Sequence, residues 1–167
     1  YLLSGREELN QLLERSDIPF ALQPILSRDG SVFGYEALMR PNSKNLKNIQ
    51  EVLTLAKRQA KLPQFERLTW VCALRWFREH DTELPAGSRL FINSIANTSL
   101  STECLEELIQ TYPDLLKRVV LEVTEGEEVN SSDMELKTRA VARTGGMIAL
   151  DDFGSGYSSE GSLLNLD

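Results

Sequence analysis

Asp151 and Asp152 stand side by side at the end of the apolar run Met147-Ile148-Ala149-Leu150, and Phe153-Gly154-Ser155-Gly156-Tyr157-Ser158-Ser159 follows them. An apolar run of this length, entered through Gly145-Gly146, predicts a buried parallel strand. Two neighbouring carboxylates repel each other, and keeping both ionised near a buried strand end is costly without a cation. A divalent metal bridged or flanked by the pair is the economical account, and magnesium and manganese favour such oxygen ligands. An isolated Asp-Asp pair is more often a solvated acidic turn. Here two earlier apolar runs also finish in metal-competent side chains, one at Asn93 and one at Glu122 with Glu125. In a parallel α/β barrel the C-terminal ends of the strands gather on one face, and that face holds the active site.

A further strand, Val32 to Arg40, carries a second pair of reactive groups. With period two, Val32, Gly34, Glu36, Leu38 and Arg40 share one face, while Phe33, Tyr35, Ala37 and Met39 share the other. Glu36 and Arg40 on one side fit either a surface ion pair or a site-facing carboxylate with an arginine placed for a phosphate. The guanidinium fork matches phosphate oxygens.

The elements that must position these groups follow from the rest of the chain. Ser4 and Glu7 suggest a capping box ahead of Leu9, Leu12 and Leu13, with the helix ending at Ile18-Pro19. Phe20 to Leu26 reads as a strand, and the turn Arg28-Asp29-Gly30-Ser31 leads into the next, which predicts an antiparallel hairpin. Helical stripes follow at Ile49, Val52, Leu53, Ala56 and Ala60, stopped by Leu62-Pro63, and at Phe65, Leu68, Val71, Cys72 and Trp76. Arg89-Leu90-Phe91-Ile92 is a third short strand ending at Asn93, and Leu105, Leu108, Ile109 and Tyr112 mark a helix with Glu103, Glu106 and Glu107 near its start. Arg118 to Glu125 is a fourth strand. Ser132 and Glu135 suggest another capping box, on a helix closed by Gly145-Gly146, and Met147–Leu150 is the fifth strand. After the hairpin, strand and helix alternate at βαβ spacing.

The composition sets bounds on function. The chain has 167 residues, enough for one domain with a real core, and its 41% hydrophobic and 26% charged residues are ordinary for a soluble globular protein. The net charge of −7 and the lack of a basic stripe argue against binding a nucleic-acid polymer. No run approaches the roughly 20 apolar residues of a membrane span. The chain begins at Tyr1 without a signal-peptide pattern, which reads as a segment of something longer and cytoplasmic. Cys72 and Cys104 lie in helical patterns and fit buried thiols in a reducing compartment.

With these motifs in order, the chain resembles the EAL domains, bacterial phosphodiesterases of cyclic di-GMP. Gly34-Tyr35-Glu36-Ala37-Leu38-Met39-Arg40-Pro41 resembles the family's signature and Leu22-Gln23-Pro24-Ile25 its first strand. Leu121-Glu122-Val123-Thr124-Glu125 resembles its Glu-x-Thr-Glu strand, and Asp151 to Ser159 its most recognisable loop. The resemblance implies a (β/α)8 TIM-type barrel with an antiparallel first strand, of which residues 1–167 would hold about five strands. It implies hydrolysis of cyclic di-GMP to linear pGpG with two Mg2+ or Mn2+ ions. Carried over by position, Glu36, Asn93, Glu122 and Asp151 would hold one metal, and Asp151 would bridge to the second with Asp152 beside it. Gln23, Leu38 and Arg40 would contact substrate, and Glu125 would tie down the Gly/Ser loop.

Asn93-Ser94-Ile95 departs from the family's usual Asn-x-Ser, and Glu160-Gly161 stands where an apolar residue is usual. By the same resemblance, residues 1–167 stop before the strand that would carry the family's Lys and its later metal-binding Glu and Gln, so the 167-residue chain alone is expected to lack turnover. The family also implies possible homodimers and fused sensor or diguanylate cyclase domains. A non-catalytic cyclic di-GMP receptor is the alternative, and a scaffold with a vestigial site is a third.

Overall fold

The computed structural model describes residues 2–15, 18–41, 43–123, 132–150 and 163–164. The elements run α1 (Leu2–Glu14), β1 (Phe20–Leu26), β2 (Val32–Met39), α2 (Ile49–Arg58), α3 (Leu62–His80), β3 (Arg89–Asn93), α4 (Thr102–Thr111), α5 (Pro113–Leu116), β4 (Val119–Val123), α6 (Ser132–Thr144), β5 (Met147–Leu150) and β6 (Leu163–Leu164). The sheet order follows the chain order from β1 to β6. β1 pairs antiparallel with β2, as the turn residues predict, and β2 to β5 are parallel. β6 is a two-residue antiparallel strand on β5. This is the (β/α)8-type architecture with a reversed first strand, represented among the described residues by five principal strands.

Both faces of the parallel strands are covered, which is why their sequences are almost continuously apolar. Facing the helices, Ala37, Leu90, Ile92, Val119, Leu121, Val123 and Ile148 join Trp70, Leu74 and Phe77 in one core. On the opposite face Phe91, Val120 and Ala149 form a smaller cluster with Ile25, Phe33 and Met147. A third core packs Leu9 and Leu12 of α1 against Val52, Ala56, Phe65 and Leu68 of the next two helices.

Several element boundaries differ from the sequence reading, each for a local reason. Phe33 does not share a face with Tyr35 and Ala37. The register passes from Ile25↔Gly34 to Leu26↔Val32, so Phe33 is the extra residue of a bulge. A bulge puts two successive side chains on one side of the sheet. Phe33 therefore meets Phe91 edge-on, at 6.0 Å between ring centroids. Gly34 is required beside it, because a Cβ there would lie 2.5 Å from the carbonyl oxygen of Arg89.

α1 starts at Leu2, which puts Ser4 inside the helix rather than at its cap, and the helix ends at Glu14 rather than Ile18. α2 ends at Arg58, and Ala60 takes a positive φ of 54° beyond it. Pro63 does not merely stop α2; it occupies the first turn of α3, where its missing N–H costs nothing. α6 begins at Ser132 itself, and Glu135 pairs with Arg139 at 2.5 Å. Gly145 closes α6 with a φ of 76°. Thr124 and Glu125, expected at the end of the fourth strand, lie outside the described residues.

At the end opposite the strand C-termini, Arg118 ties the layers together. Its guanidinium donates to both carboxylate oxygens of Asp81 at 3.1 and 2.8 Å and to the Ser88 carbonyl at 2.9 Å. It also lies over the Phe77 ring at 4.6 Å. The fork thus joins the end of α3 to the entries of β3 and β4. Arg118→Ala is expected to lower unfolding free energy by about 2 kcal/mol in urea titration, the scale of paired charge-assisted hydrogen bonds. A loss under about 0.5 kcal/mol would mean that the fork contributes no more than an exposed ion pair.

Candidate active site

Counting inward-facing residues along the parallel strands puts polar groups directly above an apolar floor. Phe91 and Asn93 alternate with Leu90 and Ile92 on β3, and Val120 and Glu122 alternate with Leu121 and Val123 on β4. Glu36 stands level with Phe91, and Asn93 stands level with Glu122, which in turn pairs with Ala149. The side chains of three adjacent strands therefore converge at the C-terminal end of the sheet. Asn93 Nδ2 donates to Glu36 Oε1 at 3.1 Å, which closes the β2–β3 seam. With its NH2 turned to Glu36, the carbonyl oxygen of the Asn93 amide remains as an acceptor.

Glu122 is only 3% exposed, on a strand whose five residues are all buried. The backbone N–H of Ser94 donates to the Glu122 carbonyl at 2.8 Å, so the chain leaving β3 stays bonded to β4 one step past the sheet. Two carboxylates and a carboxamide oxygen form a hard, all-oxygen donor set of the kind magnesium, manganese or calcium takes. The set thus fits a divalent cation in its chemistry. Among the described residues no three His, Cys, Asp or Glu side chains gather as a metal cluster. Asp151, Asp152 and Glu125 lie outside the described residues, and the described part of β5 ends at Leu150, next to Asp151.

The three residues expected to contact a ligand surround the same strand end. Gln23 is exposed on β1 and pairs across the hairpin with Glu36. Leu38, Arg40 and Asn93 line a cleft of about 110 Å³ together with Ile49 and Phe65 of the neighbouring helices. Arg40 lies just past β2, exposed, with its backbone N–H held by the Pro19 carbonyl at 2.8 Å. Glu36 is thus engaged by Asn93, and the surface ion-pair reading of Glu36 with Arg40 finds no support.

Sequence reasoning passed over two residues here. Ser94 is 8% exposed and its Oγ has no hydrogen-bond partner among the described residues. Lys137 of α6 is 3% exposed and donates through Nζ to the Ile95 carbonyl. The second was detectable, because Met134, Lys137 and Val141 follow the 3–4 spacing of a buried helical stripe. Of the two thiols, Cys104 is pushed above its usual pKa, chiefly by burial.

A parallel α/β sheet with an antiparallel first strand and acids at its strand ends defines a barrel-type domain with its site at the C-terminal face. The EAL domain profile matches residues 6–167, and the chain belongs to that family. Among curated relatives, it is 27% identical over 159 residues to the probable cyclic di-GMP phosphodiesterase PdeG of Escherichia coli K12, covering 91% of this chain and 31% of that protein. It is 26% identical over 166 residues to the cyclic di-GMP phosphodiesterase PdeF of the same organism, covering 95% and 22%. The chain therefore spans less than a third of either relative. Among solved structures, the PaMucR phosphodiesterase in complex with c-di-GMP superposes with a TM-score of 0.70 at 26% identity, over 93% of this chain and 66% of that one. The Klebsiella pneumoniae BlrP1 manganese/cy-diGMP complex superposes with a TM-score of 0.61 at 24% identity, over 86% and 37%.

The Asn93 contact can be tested directly. Asn93→Asp cannot donate to Glu36 and sets a second carboxylate against it. It is expected to cost about 2 kcal/mol in chelator, more than Asn93→Ala, when unfolding is followed in urea. Equal stability of the two variants would mean that Asn93 and Glu36 do not face each other in solution.

Proposed function

We propose that residues 1–167 are the N-terminal part of one EAL domain whose protein hydrolyses cyclic di-GMP to pGpG in the cytoplasm. The observation that carries this reading is the convergence of Glu36, Asn93 and Glu122 at three successive strand ends in a chain of this family. Glu36, Asn93, Glu122 and Asp151 would hold one Mg2+ or Mn2+ ion, with Asp151 and Asp152 serving a second. Such ions, when bound, neutralise a phosphate and lower the pKa of an attacking water. The chain's own residues then have separate tasks. Arg40 offers a guanidinium fork to a phosphate oxygen, and Leu38 gives the base or sugar an apolar surface. Gln23, across the hairpin from Glu36, supplies both a donor and an acceptor. Glu125 restrains the Gly/Ser loop after Asp152. A homodimer, and fusion to sensor or diguanylate cyclase domains, belong to the same proposal for the whole protein.

The test is conversion of cyclic di-GMP by the intact protein with manganese, followed by chromatography of the product. Linear pGpG should form, Glu36→Ala should lower the rate at least about a thousandfold, and the 167-residue chain alone should give no turnover. Tight nucleotide binding without metal-dependent turnover would overturn the enzyme reading in favour of a receptor. No nucleotide binding at all would leave only a scaffold.

A further inference from the structure

Lys137 is a buried cation outside the cleft, on a helix that carries none of the site residues. Burying an ammonium costs several kcal/mol of desolvation, and an apolar side chain of similar length would fill the same space without that cost. Unlike an apolar replacement, the ammonium can donate a directed hydrogen bond, and Nζ donates one to the carbonyl of Ile95. Ile95 lies two residues after Asn93 and is itself only 8% exposed. The intervening residue, Ser94, is bonded through its N–H to the Glu122 carbonyl. The segment that leaves Asn93 is therefore held from two sides, by the backbone of β4 and by the side chain of α6.

Glu66 of α3 is 2% exposed and lines the same small cavity as Lys137, together with Trp70, Leu121 and Thr144. At about 20 Å³ that cavity holds no more than one water. An acidic side chain of α3 and a basic side chain of α6 thus line one small cavity.

We propose that Lys137 is a positioning residue for Asn93. By fixing the Ile95 carbonyl it sets the direction in which the chain leaves β3, and with it the angle at which the Asn93 amide meets Glu36. Partners of this outer kind orient metal ligands, and their loss typically weakens metal binding about 10–100-fold. The inference rests on the metal site proposed above only for its second readout.

The experiment compares the intact protein with Lys137→Met and with Val141→Ala, a packing change on the same face of α6. The first readout is the Asn93 side-chain amide resonance in metal-free protein; the second is Mn2+ affinity by electron paramagnetic resonance. Lys137→Met should move the Asn93 resonance and weaken Mn2+ binding at least about tenfold, while Val141→Ala changes neither. An Asn93 resonance unmoved in folded Lys137→Met, or moved equally by Val141→Ala, overturns the proposal. If Lys137→Met does not fold, Glu66→Gln/Lys137→Met removes both buried charges and is judged by the same criteria. Absence of Mn2+ binding in the unaltered protein would refute the metal site, while the Asn93 resonance still decides the role of Lys137.

Discussion

Asn93 donates to Glu36 across the β2–β3 seam while its own backbone lies level with Glu122 on β4. That carboxamide supplies the Glu36 carboxylate with a donor from the neighbouring strand. The carboxamide has to arrive at the right height, which constrains the sheet beneath it. Inward positions on a strand recur every two residues, so one slip of β3 would turn Asn93 toward the helices and bring Ile92 into the site. The register is held by what lies below. Phe91 fills the inward position beneath Asn93, against Val120 and Ala149, and the Phe33 bulge brings a second ring against it. Gly34 gives the Phe91 ring room, since a Cβ there would lie 3.0 Å from its edge. A close-packed floor of this kind leaves little freedom for the polar layer above it.

The helices contribute to the same constraint from the other side. Leu90, Ile92, Leu121 and Ile148 bury their side chains against Trp70, Leu74 and Phe77, so each strand is anchored on both faces. Arg118 fastens the opposite end of the sheet through Asp81 and Ser88. The two ends thus differ: ion pairing and cation–π contact secure one end of the sheet, and Glu36, Asn93 and Glu122 gather at the other. This arrangement matches the general behaviour of barrel folds, in which the N-terminal face of the strands carries stability and the C-terminal face carries chemistry.

Most of this architecture was legible in the sequence because period-two alternation and Gly/Pro punctuation are local signals. β1 and β3 start and end where their residues predicted, and the hairpin follows from its turn. Asn93 and Glu122 could be read together because each ends an apolar run, whereas Glu36, in mid-strand, was singled out by the face it shares with Arg40 and by the family signature around it. The bulge at Phe33 was not legible, since strict alternation assigns an extra residue to the wrong face and only the partner strand reveals it. Helix starts were misplaced where a Ser three residues before a Glu suggested a cap, as at Ser4, which lies inside a helix that begins at Leu2. Lys137 was passed over because a charged residue in an apolar stripe reads as solvated until its acceptor is known. That acceptor, the Ile95 carbonyl, is 42 residues away.

The net charge of −7 and the acidic strand ends create an electrostatic problem that geometry alone does not solve. A phosphate approaching Glu36 and Glu122 meets like charge, and in a site walled by apolar side chains that repulsion is less screened than at the surface. Arg40 lies just past the end of β2, and one exposed guanidinium offsets part of the repulsion at most. On the reading proposed above, cation and anionic ligand are therefore thermodynamically coupled, each raising the affinity for the other by the same factor. Such coupling turns the acidity of the strand ends from an obstacle into a selection rule. On that same reading, anions able to share a divalent ion with the carboxylates would bind in preference to anions that cannot.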